Sequence, residues 1–295
     1  MSTTGILCIG SVLWDVIGRS NAHMRAGSDV PGRITRVPGG VAMNIAMTLG
    51  RFGLAPTLLS AVGRDSEGDE LIAAATRMGM ITDHVYRSDD LPTDRYMAIE
   101  GANGLIAAIA DAHSLEAAGA KILHPLSDGR LGAPDAPFAG TVALDGNLTP
   151  ALLAEIAESP LFACADLRVA PASPGKAERL LALLDHPRVT LYLNLEEAGL
   201  LMQTRFDSAS EAANALVARG AHRVLVTNGA AAVAEAGPDG VLSAMPPAVL
   251  VTRVTGAGDT FMAAHIVATL AGEPAPTALN RALRAAADYI SGDVN

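Results

Sequence analysis

The run VTLYLNLEEAGLLMQTRFDSASEAANALVARGAHRVLVT, residues 189–227, decides the fold. It opens on a short apolar stretch, 189–193, that reads as a buried strand. Helical periodicity follows over 196–202 and again over 208–219, and a second buried strand is expected at 223–227. The alternation continues outward. Upstream lie strands at 141–144 and within 161–169, with helices at 150–157 and 174–184. Downstream come a strand at 231–236 and helices at 259–270 and 280–291. The N-terminal part repeats the pattern, with strands at 6–10 and 57–62 and helices at 41–52 and 69–78. Repeated strand–helix alternation predicts an α/β three-layer sandwich, its central sheet mostly parallel and covered on both faces.

Two β-rich patches do not fit that alternation. Residues 30–37 carry Pro31-Gly32 and then alternate. Residues 96–100 and 105–110 flank Gly101-Ala102-Asn103-Gly104, a hairpin signal. These strands, near 30–37 and 96–110, are expected to form a small β-sheet lid on a single domain spanning 1–295. The lid carries Val30, Ile34, Val37, Tyr96, Met97, Ile99, Ile106 and Ile109, so a homodimer through its uncovered surface is expected.

Composition removes other classes. The net charge is −10 and no Lys/Arg cluster appears along the chain, which argues against a nucleic-acid polymer as partner. The mean hydropathy of +0.31 is high. Yet no run of about 18 uncharged apolar residues exists, so no membrane span is expected. With no leader pattern at the start, a cytoplasmic protein is expected. Cys8 and Cys164 have neither disulfide-framework nor metal spacing and read as buried thiols.

The chemistry concentrates in a few segments. In Val254-Thr255-Gly256-Ala257-Gly258-Asp259 a glycine turn opens a helix. Backbone N–H groups and the helix dipole can hold an anion there, and Asp259 in the first turn can take a proton from a hydroxyl. The same residues also suit an ordinary helix cap. Gly39-Gly40 opens a second helix with Asn44 one turn in, placed to bond a ligand hydroxyl, or simply to face solvent. Asp15, past the end of the first strand, could grip vicinal hydroxyls, or serve as a helix cap or a surface-loop acid. One of the acids in Asn194-Leu195-Glu196-Glu197 could hold a hydrated Mg²⁺, or the run could serve only as an acidic first turn. No P-loop and no GxGxxG after the first strand is present.

Taken together and in this order, the segments resemble the PfkB (ribokinase-like) carbohydrate kinase family over nearly the whole chain. The resemblance rests on Gly39 to Asn44, on Val62-Gly63-Arg64-Asp65 with Gly68, on Asn194 to Glu197, and on Gly256-Ala257-Gly258-Asp259. It implies a ribokinase-like fold and transfer of the ATP γ-phosphate to a sugar hydroxyl. Asp259 would be the general base, with Gly256, Ala257 and Gly258 as the anion hole. Asp15, Gly39, Gly40 and Asn44 would hold the sugar. Lys176, Asn194, Thr227, Asn228, Gly229 and Thr255 would lie at the ATP, and Glu197 at Mg²⁺. Segments such as 31–34, 58–63 and Pro171-Ala172-Ser173 with Lys176 are similar to the family's pseudouridine-kinase subgroup. That likeness implies a ribosyl nucleoside phosphorylated at its 5′-hydroxyl, with Thr93, Tyr96, Asn103 and Asp111 of the lid reading the base. A free-sugar kinase of ribose or fructose type and a non-catalytic sensor are the other readings. Three positions depart from the pattern: Ala170, Ala232 and Arg253. Arg253 replaces an Asp that commonly helps hold a monovalent cation, and a guanidinium there counts against potassium activation.

Overall fold

Short apolar strands need a cover on each face, and the helices supply it. The computed structural model describes residues 5–25, 27–253 and 255–292. The chain opens with β1 (Ile6–Ile9), β2 (Leu13–Arg19), β3 (Arg33–Gly39) and α1 (Val41–Arg51). Then come β4 (Thr57–Leu59), β5 (Ala61–Gly63), α2 (Ser66–Arg77), β6 (Tyr86–Ser88), the hairpin β7 (Arg95–Gly101) and β8 (Gly104–Asp111), and α3 (His113–Ala118). The second half runs β9 (Thr141–Asp145), α4 (Pro150–Glu158), β10 (Asp166–Ala170), β11 (Val189–Asn194), α5 (Leu195–Met202), α6 (Ala209–Ala218) and β12 (Arg223–Thr227). It ends with β13 (Val233–Gly237), β14 (Gly240–Ala244), α7 (Ala257–Leu270) and α8 (Ala275–Ser291).

The central sheet has the order β14-β13-β12-β11-β10-β9-β1-β4. From β12 to β4 every pairing is parallel, and β13 and β14 close one edge antiparallel. The α/β sandwich with a mostly parallel sheet is therefore the fold. Leu7, Ile9, Leu144 and Leu191 point to one face with α4, α5 and α6, while Cys8 and Ala143 point to the other with α1, α7 and α8. Chain order reverses at β1: the chain passes from β1 to β4 on one side, then from β9 outward on the other. Open α/β sheets bind ligands at such a switch point, beyond the carboxyl ends of the strands.

The lid is a four-stranded sheet, β3-β2-β7-β8. Residues 13–19, to which the sequence reading assigns no element, form β2 at its centre, paired to β3 and β7. Asp15 thus sits on a lid strand. Register places Asp15, Val37, Tyr96 and Ala110 on one face and Trp14, Pro38, Arg95 and Asp111 on the other. The Trp14 face rests on α2 at its base, where the Trp14 indole N–H donates to the Glu67 carbonyl at 2.9 Å.

Other differences are local. The 57–62 strand breaks at Ser60 into β4 and β5, because β5 leaves the central sheet to pair with β6. Leu161 lies in a 3₁₀ turn rather than a strand, and the 174–184 helix winds as 3₁₀ over Pro174–Leu183. Cys8 is buried as expected, but Cys164 is exposed, since it falls in the turn between the 3₁₀ segment Pro160–Phe162 and β10. Among the described residues, no helix is long and apolar enough to cross a membrane.

Candidate active site

At the switch point the ends of β1 and β9 are tied together. Asp145, fully buried at the end of β9, accepts hydrogen bonds from the Ser11 amide (2.8 Å), the Ser11 hydroxyl and the Asn147 amide (2.7 Å). Gly10 makes this approach possible, since a Cβ there would lie 2.2 Å from Asp145 Cβ. Ser11 also caps α1 from outside the helix. Its Oγ accepts from the Val41 amide at 2.9 Å and its carbonyl from the Met43 amide at 3.2 Å. Gly40, with φ of +95°, would set a Cβ 2.5 Å from the Ser11 carbonyl oxygen, so only glycine lets α1 start here. Lys176 joins the cluster, its Nζ donating to Asn147 Oδ1 at 2.5 Å.

α1 lies against α7, and Asn44 Nδ2 donates to Asp259 Oδ2 at 2.9 Å. Gly256 has φ of +88° and no side chain caps the α7 N-terminus, so its first-turn amides face the cleft with the positive end of the helix dipole. The Asp259 carboxyl is pushed up to about 7, mainly by burial, with the charges of Asp145, Glu197 and Asp15 adding to the push and the Asn44 bond opposing it. Behind the turn, Tyr289 Oη donates to the Thr255 carbonyl at 3.0 Å. Arg253 stacks on the Tyr289 ring at 3.9 Å and donates to the Tyr289 carbonyl at 2.6 Å. Val254 lies outside the described residues.

The lid brings Asp15 to the same cleft. Gly39 makes room for it, since a Cβ there would lie 2.0 Å from Asp15 Oδ2. Burial raises the Asp15 carboxyl to about 6. Tyr96 is its neighbour across β2 and β7, and Asp15 helps hold the phenol above its ordinary value, after burial. The other lid polar groups are engaged elsewhere or out of line. Thr93 is buried, its hydroxyl donating to Asp65 Oδ1 at 2.6 Å in the cap that starts α2. Asn103 binds both backbone groups of Met24 at the hairpin tip. At about 3.3 Å per residue that tip lies roughly 16 Å along the strand from Tyr96. Asp111 is exposed and lies on the Trp14 face, opposite Asp15. The likeness to the subgroup named these three as polar lid residues but did not say which way they face.

On the other flank, Asn194 and Thr227 end the neighbouring strands β11 and β12 in register, and Asn228 with Gly229 turns away from them. Asn194 and Glu197 form a capping box, each side chain accepting the other's amide at 2.8 Å. The acidic first turn is therefore structural here, and one Glu197 oxygen, Oε1, stays outside the box. Burial raises the Glu197 carboxyl to about 7. Among the described residues no three His, Cys, Asp or Glu side chains stand together as a metal cage. The donor set fits a Mg²⁺ held largely by water and nucleotide phosphates, with Glu197 as its protein carboxylate.

The model of the pfkB family of carbohydrate kinases matches residues 3–291. The chain belongs to this family. It is a kinase, a phosphotransferase, with the family's ribokinase-like fold. It is 30% identical over 271 residues to a pseudouridine kinase of Escherichia coli K12, covering 88% of this chain and 81% of that one. A carbohydrate kinase from Agrobacterium tumefaciens superposes with a TM-score of 0.81 at 26% identity, over 99% of this chain and 94% of the other. A ribokinase of Arabidopsis thaliana, solved with ribose and ATP, shares the fold at 19% identity, with a TM-score of 0.75 over 97% and 92% of the two chains. Ser11, Asp145 and Asn147 went unmarked in the sequence, although an acid closing the apolar strand 141–144 is a legible signal once β9 is known to border the switch point.

Proposed function

We propose that this kinase transfers the γ-phosphoryl group of ATP to the 5′-hydroxyl of a ribosyl nucleoside, with pseudouridine the preferred acceptor. The observation that carries the reading is the pairing of Asp259 with Asn44, with Asp259 in the first turn of α7, whose N-terminus carries no side-chain cap. Asp259 takes the hydroxyl proton as the oxygen attacks the γ-phosphorus. The bond to the β–γ bridging oxygen breaks, and ADP leaves with the electron pair. The amides of Ala257 and Gly258 hold the phosphoryl oxygens while charge spreads over them. A bound Mg²⁺ would neutralise phosphate charge, with Glu197 as its nearest carboxylate. Asn44 keeps Asp259 oriented, and Asp15 binds the ribose hydroxyls. Lys176, Asn194, Thr227, Asn228 and Gly229 would line the ATP side. The Asp15 face of the lid, with Tyr96, would cover the base. The expected 10⁴-scale rejection of an acceptor without a base then rests on Tyr96 and on backbone groups, not on Thr93, Asn103 or Asp111.

The domain acts as one unit over 1–295 and pairs as a homodimer through the outer lid face in the cytoplasm. That face exposes Ile34 (77%), Met97 (48%) and Ile109 (68%), a surface unlike that of a self-sufficient monomer. Arg253 is held as a fixed cation over Tyr289, so turnover should not require potassium. The test is an ADP-release assay over pseudouridine, uridine, adenosine, ribose and fructose. Pseudouridine should give the highest kcat/KM. Equal efficiency on ribose would show that only the sugar is read, and would overturn the nucleoside assignment.

A further inference from the structure

Away from the cleft, a second cavity gathers positive charge. It lies between the β5–β6 pair and the 3₁₀ segment Gly119–Leu126 with the turn after it, and its volume is about 240 Å³. Arg64, Arg87, Lys121 and Arg130 line it together with His84 and His124, and no carboxylate does. In a chain of net charge −10 this cavity gathers four cationic side chains with no acid in its lining.

Three of the cations have acids only on the rim. Arg64 meets Asp89 at 2.8 Å, Arg87 meets Asp69 at 2.7 Å and Arg130 meets Asp128 at 2.6 Å. The Asp89 and Asp69 carboxylates are 77% and 73% exposed, and ion pairs so open to water hold their partners weakly, although Arg87 also donates to the Gly63 carbonyl at 2.7 Å and Arg130 is held bidentate by Asp128. Lys121 has no carboxylate partner among the described residues, and its ammonium lies over the Tyr86 ring at 5.5 Å. His84 Nδ1 is buried with no hydrogen-bond partner. An orphaned ring nitrogen, an ammonium with no carboxylate partner among the described residues, and the Arg64 and Arg87 guanidinium groups, whose acids stand in water, together form a donor-rich cup. The volume is several times the roughly 30 Å³ of a water in the liquid, yet below the ~300 Å³ at which drug-sized ligand pockets begin. It has room for a phosphate group.

We infer that this cavity is a binding site for a phosphate-type dianion, separate from the reaction centre. Inorganic phosphate and the phosphate of a small phosphomonoester share the chemistry it recognises. Neither touches the residues proposed for catalysis.

Calorimetric titration of the full chain tests this, with the ATP site first filled by a non-hydrolysable ATP analogue. Inorganic phosphate should bind saturably, while chloride at matched ionic strength should not. Lys121→Glu and Arg130→Glu, both at exposed side chains, should each weaken phosphate at least tenfold, with Lys121→Gln in between. Ribose 5-phosphate competing for the same site would identify a phosphomonoester as ligand, and its failure to compete would leave inorganic phosphate. Unchanged phosphate affinity in folded Lys121→Gln and Arg130→Glu proteins, or equal heats from chloride, would overturn the proposal.

Discussion

Two strands of this protein read almost alike and end in opposite environments. β9, TVALD, is buried at every residue, whereas β8, GLIAAIAD, is exposed at every residue. β9 lies between β1 and β10 with helices over both faces, so its apolar atoms leave water completely. β8 is the edge of the lid, hydrogen-bonded on one side only and facing water on both surfaces. Apolar content therefore says little about stability by itself. What covers a strand decides whether its side chains stabilise this fold or remain available to a second molecule.

The difference can be broken first at the mouth of the cleft, where the two sheets meet. Asp259→Asn should lower kcat by about 10²–10⁴-fold, the range for loss of a general base, measured by steady-state ADP release. In the wild type kcat/KM should fall as pH drops through about 7, because protonated Asp259 cannot accept the hydroxyl proton. The same group acts on stability in the opposite sense. Its folded pKa is raised above the unfolded value of 3.8, so the native state binds the extra proton between pH ~4 and ~7 and loses stability as pH rises through that window. Asp259→Asn should abolish that slope, so its thermal midpoint should exceed that of the wild type most clearly at pH 8.

Next in size, Leu144→Ala in β9 should cost about 2–5 kcal/mol in urea unfolding, since the side chain is fully buried and a cavity remains. Ile109→Glu in β8 should cost well under ~1 kcal/mol of monomer stability, the usual scale for surface positions. Its measurable effect should be a change from dimer to monomer mass in light scattering. A monomeric wild type across a wide concentration range would remove the dimer, and a large stability loss at Ile109 would mean that β8 is covered within the chain.

The amino-acid sequence alone determined the alternating core and the glycine turns that open α1 and α7. Strand and helix periods are local, and a buried strand or an uncapped glycine turn shows in a few consecutive residues. It also put Asp259, Asn44 and Asp15 on the page as candidates, since their chemistry is written in their residue types. Tertiary structure decided the rest. That Asn44 bonds Asp259 across 215 positions depends on the packing of α1 against α7. That Asp145 is a buried acid bound to Ser11 depends on β1 pairing with β9. Which lid polars face the cleft follows from strand register, where a shift of one residue exchanges the faces and the residue order stays the same. The cationic cavity draws on segments near residues 64, 84–87 and 121–130, which form no basic run in the chain. Only folding brings such charges around one cavity, because their proximity is a property of the path of the chain and not of any stretch along it.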